Sequence, residues 1–347
     1  MRFGPVPVGE AVGAVAAHGV QARTLGGDGV ALRKGDTVTA EMAAALARAG
    51  VGTVVVARLD ADDVGENAAA RRLAEAVAGP NLWIDRAFTG RANLFAAVAG
   101  VLTVDIDAVD RVNAVDERLT LATLPAFRSV AEGEMVGTVK VIPFAIDGRV
   151  LATAVAAAPA AALAVSPYRA RRIGVVSTVL PGLKPSVVAK TLRVLEGRLG
   201  PTGSAIATAL EVPHEADALA GALERLSPEH DMVIVYGASA IADRRDVIPA
   251  AVERAGGTVD HLGMPVDPGN LLMLGRLGGI PVLGAPGCAR SPKENGFDWV
   301  LQRLLADVPV TPADIRRLGA GGLLMEIVSR PQPRSGEEPA EDGDPAP

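Results

Sequence analysis

The sequence predicts an α/β protein, with a three-layer α/β domain on a mostly parallel sheet and, before it, an N-terminal α+β region with β-hairpins. Three observations predict it. From Arg172 onward, short valine-rich runs alternate with helical segments, the rhythm that puts helices on both faces of a parallel sheet. Between residues 136 and 155, two apolar runs meet at Asp147-Gly148, a hairpin signal. The texture of the chain changes near Ser166-Pro167, which separates the two patterns.

Each element follows in order. A Pro-rich start leads to Gly26–Gly35, read as turns flanking short strands. Thr39 is placed to cap a helix through Ala49, closed by Gly50. Val51 to Leu59 is a buried strand and Asn67 to Ala78 a helix ended by Gly79-Pro80. Asn93 is a cap for a helix from Leu94 to Ala99, and the two runs around Asp147-Gly148 are strands. The alternation then gives strand 173–177, helix 186–199, strand 205–210, helix 215–226, strand 232–236 and helix 247–255. Short strands at 271–275 and 282–284 and a helix from Phe297 complete it. The expected organisation is an N-terminal segment 1–60, a middle domain 61–167, an α/β domain 168–330 and a Pro- and acid-rich tail or linker 331–347.

Composition narrows the function. Apolar residues make up 49% of the 347 but aromatics only 3%, so cores are built from small aliphatic side chains, without the stacking platforms that single-stranded nucleic acids use. A net charge of −6 gives no electrostatic footprint for nucleic acid. No apolar run reaches membrane-span length, the N-terminus lacks a signal-peptide core, and one cysteine fits a reducing compartment. The expectation is a cytoplasmic protein with neither nucleic-acid nor membrane partners.

Ligands of open α/β sheets bind beyond the carboxyl ends of strands. Three loops qualify: Gly237–Pro249, Gly263–Asn270 and Pro281–Gly296, which holds the lone Cys288. Small residues at 237–239 let an anion approach backbone N–H groups, and Arg244 and Arg245 can pair with phosphate bidentately. Asp246 opens the next helix, so its carboxylate is either an N-cap or a chemical group. Neither a P-loop nor a dinucleotide fingerprint is present. His261 sits beside the second loop, and His18, His214 and His230 show no metal-ligand spacing. Thr89–Asn93 is a polar loop that reads as a capped turn or as a phosphate clamp.

These loops carry a resemblance. Gly237-Ala-Ser-Ala-Ile-Ala-Asp-Arg-Arg-Asp-Val-Ile-Pro249 resembles the Gly-Gly-Thr-Gly…Arg-Asp-Val-Thr-Pro loop of the molybdopterin-binding superfamily, the MogA/MoaB/MoeA/CinA type. Pro265–Asn270 is similar to the Pro-Gly-Lys element of the MoeA branch, and Gly278–Gly287 to its Gly-x-Pro-Val-x-Gly-Leu-Pro-Gly-Asn loop. Leu32–Gly35 with the helix and strand to Leu59 is similar to a MoeA segment as well. The resemblance covers roughly 25–59 and 170–330.

It implies a fold of MogA/MoeA type and a ligand, molybdopterin, that carries a dithiolene and a terminal phosphate. It also implies Mg²⁺ and, in the MoeA branch, molybdate insertion with release of AMP. By position, Ser239 takes the place of the Thr of the Gly-rich loop, and Asp246 that of the catalytic, Mg²⁺-holding Asp. Gly237, Arg245, Pro268, Gly269, Asn270 and Gly287 are the implied cofactor-binding positions. Departures are clear: the Ser-Thr-Gly-Asp-Glu of the branch reads Ser177-Thr-Val-Leu-Pro here, Ala238 replaces a glycine, and Cys288 replaces an Asn. Arg290 and Lys293 are candidates for the pterin phosphate or molybdate. Those cations also predict a lowered Cys288 pKa and a thiolate facing the dithiolene or its metal; the plain alternative is a small residue filling a pocket.

The reading is therefore a MoeA-like molybdopterin-binding protein that promotes molybdate insertion into adenylylated molybdopterin. The alternative is a non-catalytic carrier that hands cofactor to a nucleotidyltransferase or a molybdenum hydroxylase apo-enzyme. A CinA-like nucleotide hydrolase ranks third. Whether the chain is catalytic stays open, and a homodimer is implied by the resemblance alone.

Overall fold

Capping chemistry fixes where the elements begin. A computed structural model describes residues 1–23, 29–158 and 160–324 and divides the chain into two compact units, Met1–Pro167 and Tyr168–Pro347. The tail expected at 331–347, and part of the turn expected at Gly26–Gly35, lie outside the described residues.

In the first unit, strand β1 (Arg2–Pro7) and helix α1 (Ala40–Arg48) precede strand β2 (Thr53–Arg58), which pairs antiparallel with β1. The Thr39 hydroxyl accepts from the Met42 N–H at 3.1 Å, and Gly50 takes a φ of +80° after the helix, as the sequence predicts. Around them one apolar cluster gathers Ala11, Ala16, Leu46 and Val56. A second cluster lies under helix α2 (Glu66–Val77) and a sheet formed by β3 (Leu82–Ile84), β4 (Arg91–Ala96), β5 (Leu119–Thr123) and β6 (Met135–Val141). Its order is β5-β6-β4-β3, and all its pairings are antiparallel. Ala92, Leu94 and Ala96 face α2, so Arg91, Asn93 and Phe95 stand on the opposite face.

Two expectations are corrected here. Asn93 does not cap a helix: it lies in β4, where its side chain bonds Asp85 and Thr138. A six-residue apolar alternation has helix and strand in equal reach, and cross-strand pairing decides for the strand. Asp147-Gly148 is not a hairpin turn. Asp147 is the N-cap of helix α3 (Gly148–Ala157), its carboxylate accepting from Arg149 N–H at 2.7 Å. Asp-Gly serves a cap as well as a type I′ turn, and the alanine-rich run behind it favours helix.

The second unit carries one six-stranded sheet. Its elements are β7 (Arg172–Val179), α4 (Pro185–Leu199), β8 (Ala205–Pro213), α5 (Ala216–Leu226), β9 (Met232–Tyr236), α6 (Val247–Arg254), β10 (Thr258–Leu262), β11 (Met273–Leu277), β12 (Ile280–Ala285) and α7 (Gly296–Leu305). The order is β8-β7-β9-β12-β11-β10. Pairings from β8 to β12 are parallel, while β12–β11 and β11–β10 are antiparallel, so the sheet is mixed. Gly278 and Gly279, at φ +58° and +87°, close a two-residue hairpin between Leu277 and Ile280, which reverses the chain. Strand β10 is absent from the sequence reading, because Thr258–Leu262 mixes polar and apolar residues on an edge. Ile173, Val175 and Ile234 pack with α4 and α7, whereas Val176, Val233 and Val235 pack with α5 and α6.

The cap assignment is testable. Asp147→Ala should lower stability by about 1 kcal/mol, and Asp147→Ser should restore most of it. Chemical denaturation reads both, and an Ala variant as stable as the parent would contradict the cap.

Candidate functional site

The loop leaving β9 is shaped by close backbone approach. A Cβ at Gly237 would stand 2.6 Å from Ser239 O and 3.0 Å from Ile248 Cδ1, so only glycine fits. Ala238 N–H donates to Thr178 Oγ1 at 2.9 Å, and Thr178 Oγ1 lies 2.8 Å from His214 Nδ1. Thr178 thus anchors the loop. Ser239 is exposed and its hydroxyl donates to Ala240 O at 3.2 Å.

Asp246 acts as a cap. Its carboxylate accepts from Val247 N–H at 2.8 Å and, with the other oxygen, from Ala242 N–H at 3.1 Å. The paired arginines bond to protein partners in this structure. Arg244 donates to Val259 O at 3.0 Å, and Arg245 pairs with Asp243 at 2.7 Å with its side chain 92% exposed. Each is satisfied by a neighbour on its own side.

The loop leaving β12 supplies a better-placed cation. After Pro286 a 3₁₀ turn spans Gly287–Arg290, and no atom lies within 4 Å of a Cβ built on Gly287. Arg290 donates to Thr191 Oγ1 at 2.9 Å and to Gly237 O at 2.8 Å, with its guanidinium 5.3 Å from the Tyr236 ring centroid. It therefore bridges α4, the Gly237 loop and the end of β9. No carboxylate lies within 4.0 Å of it among the described residues. Burial draws its pKa down, yet a guanidinium stays charged, so a half-buried cation is held by neutral acceptors alone. In the sheet, Ser177 and Tyr236 are register partners, and their hydroxyls are buried without a hydrogen-bond partner among the described residues. Burial pushes the Tyr236 phenol up to about 12. Unpartnered buried hydroxyls are uncommon enough to mark a strained or ligand-facing position.

The second loop has a mainly structural task. Gly269, at φ +141°, is buried, and a Cβ there would meet Gly296 N at 2.7 Å. Pro268 follows a cis peptide bond and its carbonyl accepts from Gly296 N–H at 2.9 Å, while Asn270 O accepts from Met264 N–H. Packing against the start of α7 accounts for Pro268 and Gly269 without a ligand; the Asn270 side chain is exposed. Lys293 is exposed, and its carbonyl accepts from Asn295 at 3.0 Å. His261, in β10, is held below the usual imidazole pKa by burial first and then by Arg316 and Arg244.

Arg198 is the residue that the sequence reading missed. It pairs with Asp298 at 2.5 Å, both side chains being 10% exposed, and donates to Ala289 O at 3.0 Å and Ser291 O at 2.7 Å. Nothing local marks it, because its partners lie about a hundred positions away.

Cys288 overturns one expectation. Burial, followed by the carboxylate of Asp267 among its charged neighbours, pushes its thiol up, so the nearby cations do not prevail and the neutral thiol is the form present at pH 7. The implied Mg²⁺ also fits poorly. Magnesium takes one or two carboxylates with waters and substrate phosphates. Among the described residues no group of three His, Cys, Asp or Glu is placed to hold a metal, and both Asp246 oxygens already accept backbone N–H groups.

A family model described as a domain of unknown function, DUF8806, matches residues 5–58. No curated protein matches the sequence. Among solved structures, the molybdopterin biosynthesis MoeA protein of Pyrococcus horikoshii is similar at 14% identity, with 88% of this chain and 75% of that one covered and a TM-score of 0.31. A molybdenum cofactor biosynthesis protein of Pyrococcus furiosus gives 13% identity, 88% and 64% coverage and a TM-score of 0.25. The molybdopterin biosynthesis enzyme MoaB of Thermus thermophilus gives 17% identity over 43% of this chain and 97% of its own, again with a TM-score of 0.25. TM-scores this low establish no shared fold. No helix among the described residues is long and apolar enough to cross a membrane.

The thiol offers a direct check. Alkylation of Cys288 by iodoacetamide should be slow at pH 7 and rise with a midpoint above the ordinary thiol value of about 8.5. A midpoint below that value would restore the thiolate.

Proposed function

We propose that the second unit, as a domain spanning 168–330, binds molybdopterin at the carboxyl edge of its sheet and serves molybdenum cofactor assembly. The observation that carries the proposal is Arg290: a half-buried cation without a carboxylate among the described residues, tied to Gly237 O and lying 5.3 Å from the ring of Tyr236, whose buried hydroxyl is unpartnered among them. That combination favours an anionic group, and the terminal phosphate of molybdopterin is one. The loop resemblance supplies the identity of the ligand. The backbone N–H groups of Ser239 and Gly287 would complete the contacts, with the neutral thiol of Cys288 as a soft neighbour and Lys293 as an outer cation.

Of the two modes, Asp246 favours the carrier. A carboxylate whose oxygens both accept loop N–H groups holds the loop, whereas insertion of molybdate with AMP release asks the same carboxylate to act on the phosphoanhydride. In the carrier mode the cofactor passes on to a nucleotidyltransferase or an apo-enzyme, and a homodimer rests on the resemblance.

Titration with molybdopterin tests both points. Arg290→Ala should weaken binding roughly ten- to a hundredfold, the loss of about 1.5–3 kcal/mol expected for hydrogen bonds to a charged group. Arg290→Lys should recover part of the loss. Adenylylated molybdopterin with molybdate should release no AMP. Unchanged binding by the Ala variant would remove the site, and AMP release abolished by Asp246→Asn would replace the carrier with a transferase.

A further inference from the structure

The sheet β5-β6-β4-β3 of the first unit buries one face under α2, and on the other face Trp83, Met135 and Arg91 are exposed. Three rows of side chains cross this outer face, each two residues along the strands from the next, about 6.6–6.8 Å. The first row is apolar. Trp83 and Phe95 are register partners with rings stacked at 4.4 Å and 13°, and Trp83 is 46% exposed. The composition holds only ten aromatic residues, so a stacked exposed pair is a concentration, not a background. The second row is a closed polar network. Asp85 accepts from both the backbone and side-chain N–H of Asn93 at 2.8 Å, and Thr138 Oγ1 donates to Asn93 Oδ1 at 2.8 Å. The third row is cationic. Arg91 and Lys140 are register partners, and neither has a carboxylate within 4.0 Å among the described residues. Lys140 donates to Thr89 O, which holds it at the β3–β4 turn, and the carboxyl of Glu66, pushed up by burial, senses it at longer range.

The order ring, carboxylate, cations is the order of one ligand class. A nucleobase stacks on an aromatic platform, a ribose diol donates to a carboxylate, and phosphates take the cations. We infer that this face binds a nucleoside phosphate, with its base against the exposed Trp83 ring that Phe95 backs, its ribose against Asp85 and its phosphates on Arg91 and Lys140. The rigid Asn93–Thr138 network keeps Asp85 in position between the two ends. The proposal is independent of the molybdopterin site, since it uses no residue of the second unit.

The sequence holds two tryptophans, so Trp299→Phe leaves Trp83 as the sole indole reporter. Titration of that variant with ATP and with GTP should quench Trp83 fluorescence saturably. Arg91→Ala with Lys140→Ala should weaken the titration tenfold or more and flatten its salt dependence. Phe95→Leu should weaken it about tenfold through the lost stack, with far-UV circular dichroism confirming that each variant folds. Tripolyphosphate, which lacks a base, should compete only weakly. Quenching that does not saturate, an unchanged affinity in the double variant, or tripolyphosphate binding as tightly as ATP would each overturn the proposal. Arg290→Ala should leave this titration unaltered, so the two sites can fail separately.

Discussion

The carboxyl edge of the second unit depends on one buried guanidinium. Arg198 reaches from α4 to the carbonyls of Ala289 and Ser291 and to the carboxylate of Asp298, and so holds the loop from Gly287 to Asn295 against the helix. Removing one partner of such a pair commonly costs about 3–5 kcal/mol, because the other is left charged and dry. Asp298 has a second task. With Asn295 it forms the capping box of α7, its carboxylate accepting from Asn295 N–H at 2.8 Å while the Asn295 side chain accepts from Phe297 N–H at 3.1 Å. Helix start, loop and α4 are therefore fixed by one connected set of bonds.

Arg290 inherits its position from that set. Because Ala289 is clamped, the next residue turns inward over Tyr236 and reaches Gly237 O and Thr191. The same packing buries Phe297 and Val300 beside Ile234 and Leu283, which makes the surroundings of Tyr236 and Ser177 apolar. A cation and two hydroxyls in such surroundings interact more strongly with an anion than they would in water. Chemistry at this edge is thus a consequence of packing, with the glycine at 237 needed for the backbone turn and the neutral Cys288 thiol a product of burial.

Much of this architecture was legible in the sequence, and the reasons differ by element. Met232–Tyr236 is an uninterrupted buried run, and its limits are the observed ones. Thr39 and Gly50 mark both ends of their helix by mechanism. Two of the loops at the edge, those after Tyr236 and Ala285, show in the sequence as breaks after apolar runs. Asp147-Gly148 and Asn93 were misread because a cap, a turn and a strand position can use the same residues, and long-range pairing chooses between them. The Arg198–Asp298 pair, the Trp83–Phe95 stack and the Thr178 anchor join segments distant in sequence, so neither periodicity nor spacing could report them.

The central claim is that Gly237–Ser239 and Gly287–Arg290 form one anion-binding edge. Amide hydrogen exchange with and without molybdopterin tests it most directly, because it reads each segment separately in the intact chain. Added ligand should slow exchange in both segments together while leaving the Asp267–Asn270 backbone, already held by packing, unaltered. Protection confined to another surface, or to one of the two loops alone, would contradict the account.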